Sequence, residues 1–229
     1  MKSANEFSKY EKYFTSDNRL KYVGGVIFTL GLLLFWCGRG YFAHVAMCIF
    51  LVVGLVVLLL SSLGRAGESD IDADIKLRTE GMEYRPKNEK TFLRRQSNIL
   101  KSVDDGIYEL GDGVLVKRGN DGLIRSTRYT RHIIYPLDTG MVIVYRRVSL
   151  LSDEMTEGCF EIEYADVNSL TIETEKVRVS LNGGESAIPR AWLNVKWGAD
   201  GALRLPIKDS LSNDDFVARI NRFISEAKA

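Results

Sequence analysis

The chain has little of what chemistry usually requires. Among its 229 residues are three cysteines, two histidines and four prolines. Cys37, Cys48 and Cys159 show no C-x-x-C spacing, so no disulfide framework or zinc knuckle follows. Two of them lie in apolar segments, where they act as small hydrophobes. His44 and His132 each stand apart from any cysteine or second histidine with which to share a metal. There is no P-loop, no G-x-G-x-x-G, no H-E-x-x-H and no G-x-S-x-G. The acid pairs Asp104-Asp105 and Asp214-Asp215 sit beside turns or a helix start, where local capping accounts for them. The run Asp70, Asp72, Asp74 suggests calcium, but an EF-hand loop needs glycine and glutamate where this chain has Ile75 and Gly81. These absences lead us to expect no enzymatic activity, no cofactor and no metal. Nothing points to nucleic acid or to a small-molecule substrate.

Charge is also missing, and from two places only. Residues 22–38 and 41–63 contain no Asp, Glu, Lys or Arg. Each run approaches or exceeds the roughly 17 to 25 residues that cross a bilayer as helix. Lys21 and Arg39 bracket the first run, and Tyr22, Trp36, Tyr41 and Phe42 stand where interfacial aromatics belong. No A-x-A site follows the first run, and the bulky Phe35 and Trp36 before Cys37 argue against lipoprotein processing. Gly24, Gly25 and Gly31, with Ala43, Ala46 and Gly54, offer small surfaces for close helix approach. With no ionisable residue in either run but His44, a transport path is not expected.

Lys2, Lys9, Lys12, Arg19 and Lys21 precede the first run, while Arg39 stands alone in the turn. By the positive-inside rule the turn lies outside and both termini are cytoplasmic, in a multi-pass protein of the cell membrane. The expected divisions are a cytoplasmic segment 1–21, a two-helix transmembrane hairpin 22–63, a juxtamembrane helical linker 64–106 and a cytoplasmic domain 107–229.

In the linker, Ile71, Ile75 and Met82 form a narrow apolar stripe on a polar helix, with Asp72–Lys76 and Asp74–Arg78 as i, i+4 pairs. Residues 88–103 repeat an amphipathic pattern, suited either to an anionic leaflet or to packing on the domain that follows. From about residue 107 the period becomes two. Val114 and Val116 lead into Gly119-Asn120-Asp121-Gly122, a hairpin signal, and then LIRSTRYTRHIIY reads as one strand. MVIVYRRVSLL pairs with it at the centre of the sheet, and CFEIEY alternates with one wet face. A turn near Glu175 is expected to separate Leu170 and Ile172 from Val177, Val179 and Leu181. Strands around Leu193–Trp197 and Leu203–Ile207 follow. Ser212 with Asp215 then starts a helix whose stripe is Phe216, Ile220, Phe223 and Ile224.

Short antiparallel strands capped by one C-terminal amphipathic helix resemble the pleckstrin-homology (PH) superfamily, and the two-span anchor is similar to bacterial membrane proteins carrying a PH-like domain. The resemblance covers about residues 107–229 and rests on element order. It implies a membrane α-helical hairpin plus α+β: an antiparallel, seven-stranded, strongly bent sheet or partly open barrel closed at one end by residues 213–227. Members that bind phosphoinositides carry a basic motif across the first hairpin. Here Lys117, Arg118, Arg125, Arg128 and Arg131 occupy that region with a different spacing. They are the candidate anionic-surface site. On one regular strand Arg125 and Arg131 would share a face and Arg128 would take the other. Such cations either shield a strand edge or draw the domain to anionic lipid, at about 1 kcal/mol each. The expected function is a membrane-anchored adaptor, scaffold or sensor whose PH-like domain binds a protein partner or the leaflet. The alternative is an accessory subunit of a larger membrane complex, with the hairpin making the essential contacts.

Overall fold

A computed structural model describes residues 4–15, 19–37, 40–62, 65–82, 84, 101–181 and 184–229. The chain divides into two compact units, one of residues 4–67 and one that takes in 68–229.

The first unit is helical: α1 (Ala4–Thr15), α2 (Arg19–Cys37) and α3 (Tyr41–Ser62). α1 is a feature that charge counting passed over. Its Tyr10, Tyr13 and Phe14 are buried, and the Lys9 carbonyl accepts from the Ala66 amide at 3.2 Å. α2 and α3 pack at glycines. A Cβ on Gly54 would fall 2.6 Å from the Phe28 amide nitrogen, and one on Gly31 would fall 2.9 Å from Leu51. Gly24 is similarly close to Val57 and Leu58, whereas Gly25 faces open space. Among the described residues, Tyr41–Ser61 is the one helix that by itself is long and apolar enough to cross a membrane, with a mean hydropathy of 2.9.

The second unit is a mostly antiparallel sheet structure ending in a helix. It opens with α4 (Glu68–Thr79). Then follow β1 (Val103–Tyr108), β2 (Val116–Arg118), β3 (Ile124–Ser126), β4 (Arg128–Pro136), β5 (Gly140–Ser149) and β6 (Met155–Glu163). A 3₁₀ turn at Tyr164–Asp166 leads to β7 (Val167–Leu181), β8 (Gly184–Trp197), β9 (Gly201–Ile207) and α5 (Leu211–Lys228). One sheet has the order β1-β4-β5-β6, a second β7-β8-β9, and β2-β3 forms a separate hairpin. β4 and β5 are central, as the alternation implies.

Alternation buries one face of each sheet against the other. Ile134, Met141, Ile143 and Ile162 from the larger sheet meet Leu193, Val195, Leu205 and Ile207 from the smaller one. Phe216, Val217, Ile220 and Ile224 of α5 complete this core, so the i, i+4, i+8 stripe does cover the sheets. Phe223 packs at its edge, half-buried.

Four expectations need correction. No turn interrupts β7 at Glu175, because β8 pairs with it continuously and holds the polar stretch extended. LIRSTRYTRHIIY is two strands, broken at Thr127, whose amide donates to Leu115 and whose carbonyl accepts from Leu150. Asp104 and Asp105 lie in a strand, β1, that precedes the expected start of the sheet. The last helix is capped two residues earlier than Ser212, by Ser210, whose side chain accepts from the Asn213 amide. The amphipathic segment 88–103 lies, up to residue 100, outside the described residues.

The burial of α5 carries a testable consequence. Ile220→Ala, at a fully buried position, should cost about 2 to 5 kcal/mol. Phe223→Ala should cost less, because its ring is half-buried. Denaturant melts of the full chain check the order, and a harmless Ile220→Ala would mean that α5 does not seal the sheets.

Candidate functional site

The five cations proposed from sequence do not share a surface. The break at Thr127 puts Arg125 on the β2–β3 hairpin and Arg128 and Arg131 on a different sheet, so alternation along one strand no longer relates them.

Arg125 is the largest fully buried side chain, at 1% exposure. Its Nε donates to Asp72 Oδ1 at 3.0 Å and one terminal nitrogen to Asp72 Oδ2 at 2.6 Å, a bidentate grip. Asp121, at the tip of the same hairpin, accepts at 3.0 and 2.8 Å, and Glu68 stands 3.8 Å away. Tyr108 donates its hydroxyl to Asp72 at 2.8 Å. A guanidinium out of water needs this degree of pairing. The hydrogen bond from Arg125 holds the carboxyls of Asp72 and Asp121 below the usual carboxylate range, and those two acids in turn raise the pKa of Arg125. Arg125 therefore faces no leaflet, and Asp72, the middle of the aspartate run, is engaged with Arg125 rather than with Lys76.

Arg131 is also committed. It grips Asp104 at 2.9 and 2.6 Å and donates to the Thr79 carbonyl at 2.9 Å. Arg146 donates to the Arg78 and Glu80 carbonyls at 2.8 and 3.1 Å. These carbonyls end α4, where unpaired acceptors and the negative end of the helix dipole favour cations. Arg78 reaches in turn to the carbonyls of Ser149, Ser152 and Glu154. With Ile71 and Ile75 buried as well, α4 is built into the sheet unit. Asp72 and Arg78, expected in i, i+4 pairs within this helix, find tertiary partners.

Of the remaining cations, Arg128 lies 3.7 Å from Glu109, Lys117 is half-buried opposite Arg125 in the hairpin register, and Arg118 is exposed. Glu109 is a buried acid that sequence reading missed. Thr130 donates to it at 2.5 Å and Arg147 at 2.7 Å. Nearby Arg190 donates to the Tyr108 carbonyl, and burial lowers its pKa. No local spacing reveals this group, since Glu109 and Arg147 are brought together only by the β1-β4-β5 meander.

A second buried polar cluster lies on the inner face of the same sheet. Asp105 accepts from Asn213 at 2.8 Å and pairs with Lys208 at 3.2 Å, which ties β1 to the start of α5. Beside it across the β1–β4 register stands His132, fully buried, with neither ring nitrogen hydrogen-bonded. Burial pushes its pKa down to about 4, against the smaller opposing pull of Asp105 and Asp104. His132 is thus neutral at neutral pH.

No protein-family model, no curated protein and no solved structure matches the chain.

Because the unfolded chain binds a proton at His132 near pH 6.5 and the folded one near 4, stability should fall as pH drops through that window. The loss should reach about 3 kcal/mol below pH 4. His132→Leu should flatten the fall between pH 6.5 and 4.5 without lowering stability at pH 7.5, because no hydrogen bond is lost. Parallel pH profiles for the two proteins would show that His132 is not buried in the neutral form.

Proposed function

We propose that the chain is a non-catalytic adaptor of the cell membrane, anchored by α2 and α3 and presenting a PH-like domain to the cytoplasm, where it binds a protein partner. The observation that carries this reading is the surface of the helical unit. Phe42 is 88% exposed and Trp36 87%, and only 6% of the apolar window in Tyr41–Ser61 is buried. A core helix of a soluble protein buries such residues, whereas a helix in lipid displays them. With 22 residues, α3 is about 33 Å long, enough for a hydrocarbon core of about 30 Å. α2 has 19 residues and is framed by Tyr22 and Trp36, which reach the interfaces. Glycine-mediated approach of α2 and α3 is the packing that suits a lipid environment, where apolar area drives no association by itself.

The PH-like reading is supported by the element count. Among the described residues, outside the β2–β3 hairpin there are seven strands, four in one sheet and three in another, with α5 against both. A protein partner is favoured over the leaflet because Arg125 and Arg131, two of the five candidate cations, are spent on internal carboxylates. One observation favours the second reading, an accessory subunit held by its hairpin. Gly25 meets nothing within 4 Å and lines, with Val26 and Thr29, a groove of about 360 Å³ on α2 where another helix could lie.

The anchor and its orientation are tested together. In a variant lacking the native cysteines, Tyr41→Cys should react with a membrane-impermeant maleimide in intact cells, and Ser3→Cys should react only after lysis. Labelling of Ser3→Cys alone would invert the topology, and labelling of both in intact cells would remove the membrane reading.

A further inference from the structure

Glu109 follows β1 directly, and its amide donates to the Arg128 carbonyl at 2.8 Å, which fixes the end of β1 against the start of β4. Its carboxylate is buried and accepts from Thr130 at 2.5 Å and from Arg147 Nε at 2.7 Å. Arg128 and Thr130 share a face of β4 by alternation, and Thr130 lies opposite Arg147 in the β4–β5 register, so the two arginines are neighbours on that face. One terminal nitrogen of Arg128 stands 3.7 Å from Glu109. From the other sheet β8 brings Arg190, which donates to the Tyr108 carbonyl and is held charged against its burial by the same carboxylate. Three guanidinium groups thus share one acid.

Most of their donors are unused. Arg147 gives Nε to Glu109, and neither of its terminal nitrogens has a partner among the described residues. The Arg128 guanidinium makes no hydrogen bond among them, since 3.7 Å is beyond hydrogen-bond reach. Arg190 keeps a buried Nε without an acceptor. The Arg128 and Arg147 side chains are 44% and 39% exposed, so an incoming group can reach both. Arg125 shows the opposite balance in the same unit: one guanidinium takes two carboxylates, Asp72 and Asp121, through four hydrogen bonds. Around Glu109 the acceptors are what is missing, and cations crowded on one acid favour the arrival of another.

We propose that Arg128 and Arg147, reinforced by the charge of Arg190, are the docking point for the carboxylates of an acidic segment of a protein partner. The inference rests on the adaptor reading and supplies the chemistry of the partner. One partner carboxylate takes the paired terminal N–H groups of Arg147, the fork that a guanidinium still offers when its Nε is engaged. A second, further along the segment, pairs with Arg128. The local balance then moves from three charges against one to three against three. Glu109 prepares the site, because its bond to Nε holds Arg147 in place and less side-chain freedom is lost on binding than at an untethered surface arginine.

The test uses the full chain in a non-ionic detergent at low salt, titrated calorimetrically with the blocked peptide acetyl-Gly-Glu-Gly-Glu-Gly-amide. The wild type should bind saturably, and Arg147→Gln should weaken binding about tenfold or more. Because that change also removes a partner from buried Glu109, Arg128→Gln is the second variant. Its guanidinium makes no hydrogen bond among the described residues, so the melting temperature should hold while affinity falls about fivefold. Arg118→Gln removes the same charge from an exposed position on β2 and should leave affinity within about twofold. A peptide with glutamine for glutamate should not bind. Equal weakening by Arg118→Gln and Arg128→Gln would reduce the effect to net charge and overturn the site. Binding of the glutamine peptide, or none of the glutamate peptide at millimolar concentration, would overturn it as well. Displacement of the peptide by equimolar inorganic phosphate would overturn the acidic-segment assignment in favour of a phosphoryl group. Maleimide labelling at the α2–α3 turn is independent of all these outcomes, so a failed docking site and a failed anchor are told apart.

Discussion

The guanidinium of Arg125 is buried almost completely, and a charge in that position persists only if counter-charges reach it. Asp121 comes from its own hairpin, but Asp72 comes from α4, more than fifty positions earlier in the chain. That requirement draws α4 onto the sheet unit. Once there, the helix offers its C-terminal carbonyls to Arg131 and Arg146 and buries Ile71 and Ile75. Arg125 and Arg131, expected on a basic outer surface, therefore act as fasteners within the sheet unit. What is left exposed of that set, mainly Arg118 and Arg128, is too little for the leaflet attraction that five convergent cations would give.

Local periodicity carried much of the architecture. The two charge-free runs became α2 and α3, the hairpin at Gly119–Gly122 formed, and Phe216, Ile220 and Ile224 did reach the core. Each of these depends on neighbours a few residues apart. What stayed hidden depends on tertiary pairing. β7 runs through Glu173–Lys176 because β8 supplies its hydrogen bonds, although the composition there reads as a turn. The break at Thr127 depends on Leu115 and Leu150, and it moved Arg125 away from Arg131. The Arg125–Asp72 and Glu109–Arg147 pairs leave no spacing in the sequence at all. Charged residues were easy to see as charges and impossible to assign as partners.

Function follows from the same division of labour. One unit displays apolar side chains to its surroundings and packs its helices through glycine, the arrangement on which the proposed membrane anchor rests. The other commits Arg125 and Arg131 to its own carboxylates and leaves Arg118 and Arg128 exposed. In the reading proposed above, the membrane unit sets location and the sheet unit sets specificity.

The central claim is that Arg125 is a latch for α4 and contributes nothing as a surface charge. A double-mutant cycle on the full chain, with Asp72→Asn and Arg125→Met alone and combined, tests it most directly by denaturant unfolding. The latch predicts a coupling of at least about 1 kcal/mol, with Asp72→Asn costly alone and much less costly once Arg125 is replaced. Additivity within about 0.5 kcal/mol, with both single changes mild, would return Arg125 to the surface and contradict the account.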